Sequence, residues 1–163
     1  MSMKAPHERV RPRIGDVVEI ETAAGHGYAQ YTFNFRAPPV YGALIRVLPG
    51  MFSVRPTDFA SLVQERERFF TFFTLGSACA RGTVRIVASE PVPERAQGIP
   101  LMRMRGPITR DGRVANWWLW DGEREWRLDR LDDEHRDLSI LGVMNDLYLV
   151  HKIESGWSPR DST

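Results

Sequence analysis

Ala115-Asn-Trp-Trp-Leu-Trp-Asp-Gly-Glu-Arg-Glu-Trp-Arg-Leu128 is the stretch on which the fold class turns. Two tryptophan-rich runs flank Asp121-Gly122, a dipeptide favoured in two-residue type I′ turns, so the stretch is predicted to be a β-hairpin. With that loop Trp120 opposes Glu123, Leu119 opposes Arg124, Trp118 opposes Glu125 and Trp117 opposes Trp126, and opposed residues share a face. One face then carries Ala115, Trp117, Leu119, Arg124, Trp126 and Leu128, which reads as core. The other carries Trp118, Trp120, Glu123, Glu125 and Arg127. Large aromatics among charges suit either a surface covered by another element or a recognition patch.

The same alternation recurs upstream. Gly15 to Glu21 and Tyr28 to Phe33 read as strands around the turn Ala23-Ala-Gly-His-Gly27, and Val40 to Leu48 reads as a central buried strand ending at Pro49-Gly50. Pro38-Pro39 cannot continue a central strand, because two ladder donors are missing. Thr57 is the expected N-cap of a short helix running to about Arg66. Phe69 to Leu75 and Thr83 to Ala88 are expected strands. Ile99 to Arg105 is an expected half-exposed strand with Met102 and Met104 inward and Arg103 and Arg105 outward. Near the end, Val143, Leu147 and Val150, with Met144 and Tyr148, fit a helical stripe, so a helix is expected over 145–154, although Leu147-Tyr-Leu-Val150 also fits a buried strand. The expected fold is α+β: a mainly antiparallel, strongly bent sheet with one or two helices. It occupies residues 14–157 as one globular domain, between a disordered basic arm at 1–13 and a disordered tail at 158–163.

The 163 residues are 42% hydrophobic and 10% aromatic, enough for one core and too apolar for a disordered chain. The single Cys79 cannot pair within the chain, and no apolar run reaches the ~18 residues of a membrane span. The basic start has no apolar stretch behind it, so the expected location is the cytoplasm. Residues 1–113 carry 16 basic and 10 acidic side chains, residues 114–163 carry 6 and 11, and eight of those acids crowd into 121–137. Such a run reads first as a solvated face and second as a surface for a basic partner.

Motifs for phosphate loops, dinucleotides, zinc proteases, serine hydrolases and redox dithiols do not occur. Cys79 sits among small apolar residues and reads as a buried thiol. Asp132-Asp-Glu-His135 holds potential ligands, but adjacent residues do not converge on one ion unaided, and no metal or cofactor is expected. His26, His151 and Glu154 are the only candidates for a site assembled from distant residues. Arg103, Arg105, Arg110 and Arg113 cluster, yet a net charge of +1 makes a nucleic-acid partner unlikely to be the main one.

Arg13-Ile-Gly-Asp-Val-Val-Glu-Ile20 followed by Gly27-Tyr-Ala-Gln-Tyr31 resembles the opening of immunity protein 26 family members. Tyr41 to Leu48, Gly82-Thr-Val-Arg-Ile-Val87 leading into Glu90-Pro-Val-Pro93, and the late hairpin with Trp before Asp-Gly are similar to that family in the same order, over residues 13 to 128. The chain departs from it at Glu21, where a proline is usual, and in the inserted Phe35 to Pro39. Gly-Asp before an apolar strand also opens small SH3-like barrels, which gives the expected sheet SH3-like barrel character. The resemblance implies an intracellular, non-catalytic antidote to a cognate polymorphic toxin, often the product of a neighbouring gene. Toxins of this kind are often basic, so the expected partner-binding residues are Trp118, Trp120, Glu123, Glu125, Asp132, Asp133, Glu134 and Asp137. A generic β-barrel binding domain for another protein or RNA, and a small enzyme, are the alternatives.

Overall fold

The computed structural model describes residues 10–162, so most of the expected basic arm lies outside the described residues. β1 (Asp16–Thr22) and β2 (Gly25–Phe35) form a hairpin in which Thr22 faces Gly25 across Ala23-Ala24. β3 (Gly42–Val47) and β4 (Phe69–Phe73) extend the sheet on the β2 side, and β5 (Val84–Ser89) pairs with β1 on the other. The short β9 (Val143–Met144) adds to β4 in parallel, giving the order β5-β1-β2-β3-β4-β9. Register shifts between Val17 and Val18 and between Tyr31 and Phe33 interrupt the ladders, and such bulges bend and twist a strand. A second sheet, β6 (Met102–Arg105), β7 (Trp117–Trp120) and β8 (Glu125–Leu128), is wholly antiparallel. The fold is therefore α+β with nine strands among the described residues, the sheets open and one pairing parallel.

Three helices complete it. On one face of the large sheet Val18, Ile20, Ala29, Ile45 and Phe73 pack against α2 (Leu75–Arg81) and α3 (Asp146–Glu154). On the opposite face α1 (Phe59–Leu62) covers Val17, Tyr28 and Leu48, and the small sheet covers Leu44, Phe70 and Phe72. The expected helix at 57–66 is thus a single turn, and its cap is Asp58, whose Oδ1 accepts the Ser61 amide at 3.0 Å. The helix α2 was not expected: Ala and Cys carry no helical stripe over so short a run, and Gly82 in the left-handed region ends it. α3 occupies the expected span with Asn145 as cap, but its buried face is Leu149 and Ile153, while Leu147 is 84% exposed. Gly27 permits this docking, since a Cβ there would stand 2.8 Å from Ile153 Cγ2.

The late hairpin forms with a different loop. Asp121 Oδ1 accepts the amides of Glu123 at 2.9 Å and Arg124 at 2.7 Å, so the connection takes four residues, 121–124. Trp120 then pairs with Glu125, Trp118 with Arg127, Leu119 with Trp126 and Trp117 with Leu128. A shift of two leaves each residue on its expected face. Both faces of β7 are covered: Trp117 and Leu119 are buried as expected, and the Trp120 side is covered by another element instead of forming a patch. Trp120 is buried against Phe35 and Tyr41, with ring centroids 5.3 and 5.8 Å away, whereas Trp126, expected in the core, is 42% exposed.

Arg103 departs from the expectation for β6, in which Met102 is buried and Arg105 exposed as expected. It is fully buried, stacks over Trp117 with 4.1 Å from its guanidinium carbon to the ring centroid, and donates to the carbonyls of Pro159 at 2.5 Å and Leu138 at 3.4 Å. Residues 158–162, expected to be a loose tail, are docked there. Pro159–Asp161 forms a 3-10 turn, and Ser158 N–H donates to Asp161 Oδ2 at 2.8 Å. Burial, reinforced by Arg105 and Arg136, pulls the Arg103 guanidinium down to about 10.

The packing of the hairpin makes a direct prediction. Trp120→Ala should cost about 3–5 kcal/mol in urea unfolding and Trp126→Ala about 1 kcal/mol or less. A larger loss at Trp126 than at Trp120 would contradict this packing.

Candidate interaction surface

The residues expected to bind a partner divide into three groups. Trp120 is a core residue and leaves the surface, and Trp118 is half-buried beside it. Asp132, Asp133 and Asp137 are exposed but engaged within the chain. Asp132 Oδ1 accepts the His135 amide at 3.0 Å and meets His135 Nδ1 at 2.6 Å, so it caps the 3-10 turn Asp133–His135. Arg160 donates to Asp137 through Nε and Nη2, each at 2.8 Å, and to Asp133 at 2.8 Å. That bidentate guanidinium holds the Asp137 carboxyl below its ordinary range. Glu123, Glu125 and Glu134 are exposed and hold no ion pair among the described residues.

The residue missed by sequence reasoning is Trp126. It lies on β8, whose strand partner is β7 alone, so its other side presents unpaired backbone groups. The far edge of the small sheet is closed: Arg103 N–H donates to Ser139 O at 2.9 Å and Leu141 N–H donates to Arg103 O at 2.9 Å. An exposed aromatic therefore lies on an open strand edge beside carboxylates that make no ion pair among the described residues.

A second polar group lies on the first hairpin. Glu19 is 5% exposed, accepts Tyr28 Oη at 2.8 Å, and receives Arg55 Nε at 2.7 Å and Nη2 at 3.0 Å. Arg55 holds its carboxyl below the ordinary range, and burial with the Glu19 charge pushes the Tyr28 hydroxyl upward. His26 Nδ1 stands 4.0 Å from Glu19 without a hydrogen-bond partner. Donor atoms of Glu19, Glu21 and His26, and of Asp132, Glu134 and His135, each lie within 4.8 Å of one another, as metal-holding groups do. In the first set both Glu19 oxygens are already bound by Arg55, which marks a structural clamp on the loop before α1.

His26, His151 and Glu154 do not assemble. Gly27 faces α3, so its strand neighbour His26 points to the opposite face of the sheet, while His151 and Glu154 lie on α3 itself. The Cys79 thiol is buried, and burial with the nearby Asp16 pushes it up to about 11. It stays protonated at neutral pH. No helix among the described residues is long and apolar enough to cross a membrane. Comparison of the chain with protein-family models, curated proteins and solved structures finds no match.

The clamp fixes a pH dependence. Glu19 has a lower pKa folded than unfolded, so its contribution is complete above the ordinary value of 4.5 and is lost as pH falls through the folded value. Arg55→Gln should lower stability at pH 7 by about 1–2 kcal/mol and flatten the loss of stability below pH 4.5. An unchanged acid limb in the variant would show that other carboxylates set it.

Proposed function

We propose that the protein is a non-catalytic antidote that binds and neutralises a cognate polymorphic toxin through the open edge of β8 and the adjoining hairpin tip. The observation that carries this reading is Trp126, exposed on an edge strand between Glu125 and Arg127. A rigid aromatic at low entropic cost is the usual anchor of a protein interface. Glu123, Glu125 and Glu134 supply negative charge that makes no ion pair among the described residues, and such charges accelerate encounter with a basic partner. The resemblance of the first hairpin and of the tryptophan hairpin to immunity protein 26 family members supports the same reading. Within it, the bulges that bend β1 and β2 give the open sheet its SH3-like barrel character, and the protein acts in the cytoplasm.

The test is co-expression with the product of the neighbouring gene, read as growth and as complex formation. The chain should protect. Trp126→Ala should weaken the complex by at least about tenfold, which is about 1.4 kcal/mol. Charge reversal of Glu123, Glu125 and Glu134 should chiefly slow association at low salt. Protection that survives all four substitutions would move the interface away from β8. Absence of both binding and protection by the unaltered chain would favour a binding domain for another protein or RNA.

A further inference from the structure

A groove of about 740 Å³ lies between the start of β4, the loop before β6 and the docked C-terminal turn. Its volume is that of a small-molecule site. Arg66, Arg68 and Arg95 line it, with Pro100, Leu101 and Leu138 as apolar wall. Glu67 and Asp137 line it as well, and each has a partner outside the three arginines. Glu67 stands 3.8 Å from the buried Arg46, and Asp137 is held bidentately by Arg160. Among the described residues none of the three groove arginines has a carboxylate within ion-pairing distance.

Two of the three are fixed in place before any ligand arrives. Arg68 donates to Ile153 O at 3.3 Å and Trp157 O at 3.1 Å, at the end of α3, and Arg95 donates to Gln64 O at 2.6 Å. Each guanidinium keeps further N–H groups for another acceptor. Ser139, 7% exposed, also lines the groove: its Oγ accepts the Phe70 amide at 2.8 Å, and its own proton has no acceptor among the described residues.

We propose that this groove binds a small organic phosphate, its phosphoryl oxygens taken by Arg66, Arg68, Arg95 and the Ser139 hydroxyl and its body lying on the Leu101 and Leu138 wall. Each planar guanidinium can take two oxygens of a phosphate, and the several oxygens of a tetrahedral phosphoryl group engage guanidiniums from different directions, which the two coplanar oxygens of a single carboxylate do less well. Pre-positioning by backbone carbonyls removes part of the ordering cost of binding.

Titration calorimetry of the whole chain with inorganic pyrophosphate and with adenosine 5′-diphosphate tests it. Both should bind, the nucleotide more tightly because its body reaches the apolar wall. Arg66→Gln, at an exposed position whose side chain makes no hydrogen bond among the described residues, should fold normally and weaken both about tenfold. Arg95→Gln should do the same if its thermal unfolding matches the unaltered chain. Failure of both probes to bind, or binding unchanged in Arg66→Gln, overturns the proposal. Binding of a single-stranded RNA oligonucleotide without binding of either probe also overturns it, in favour of a nucleic-acid groove.

Discussion

Four hydrogen bonds made by one short segment join the two sheets. Ser139 O and Leu141 N–H pair with the backbone of Arg103 on β6, while Ser139 Oγ and Gly142 O accept the amides of Phe70 and Phe72 on β4. The segment therefore bridges β4 and β6, through an isolated parallel bridge at Ile140 on one side and through Ser139 Oγ and Gly142 O on the other, and holds the two sheets together. Everything at the β8 end depends on it. It sets which face of the late hairpin meets Phe35 and Phe72, and it closes the β6 edge, so that of the small sheet's two edges the one at β8 has no further strand among the described residues.

Buried arginines hold the covering pieces onto the sheets. Arg46, fully buried on β3, donates to Gln30 Oε1 at 2.8 Å, Val63 O at 2.8 Å and Glu65 O at 2.7 Å, tying the end of α1 to the sheet. Arg103 does the same for the C-terminal turn. A buried guanidinium is costly to desolvate, and it is tolerated where carbonyl oxygens are fixed around it. Such residues add less net stability than specificity: a loop that leaves strands its own carbonyls and an unpaired cation, so the alternatives are raised in energy more than the native state is lowered.

Local alternation was legible and its assignment to inside or outside was not. The strands over 16–22, 42–47, 69–73 and 84–89 follow from period-two patterning and from Gly and Pro punctuation, and so does the hairpin around Asp121. Alternation names two faces without saying which is buried. Trp118 and Trp120 with Glu125 fit a covered face and a recognition patch equally, and the choice is made by the long-range contact of Trp120 with Phe35, which no local pattern contains. Arg103 read as outward for the same reason. Its burial depends on carbonyls at 138 and 159, supplied from distant sequence. The acidic run at 121–137 was visible, but its partial neutralisation by Arg160 was not, since the partner lies 23 residues beyond Asp137. The glutamates of the hairpin tip are exposed, and the exposed aromatic beside them is Trp126 rather than Trp120.

A binding edge is useful only if it is rigid, because ordering a mobile strand on contact subtracts from affinity. The joining segment provides that rigidity in this account, by making β6–β8 part of the same cooperative unit as β1–β5. Native-state hydrogen exchange at increasing urea measures this residue by residue. The account predicts that the amides of Arg103, Leu141 and Phe72 exchange only through the same global opening as those at the centre of β1, β2 and β3. Exchange of Arg103 and Leu141 through a smaller, separate opening, with β6, β7 and β8 released while the large sheet stays closed, would contradict it.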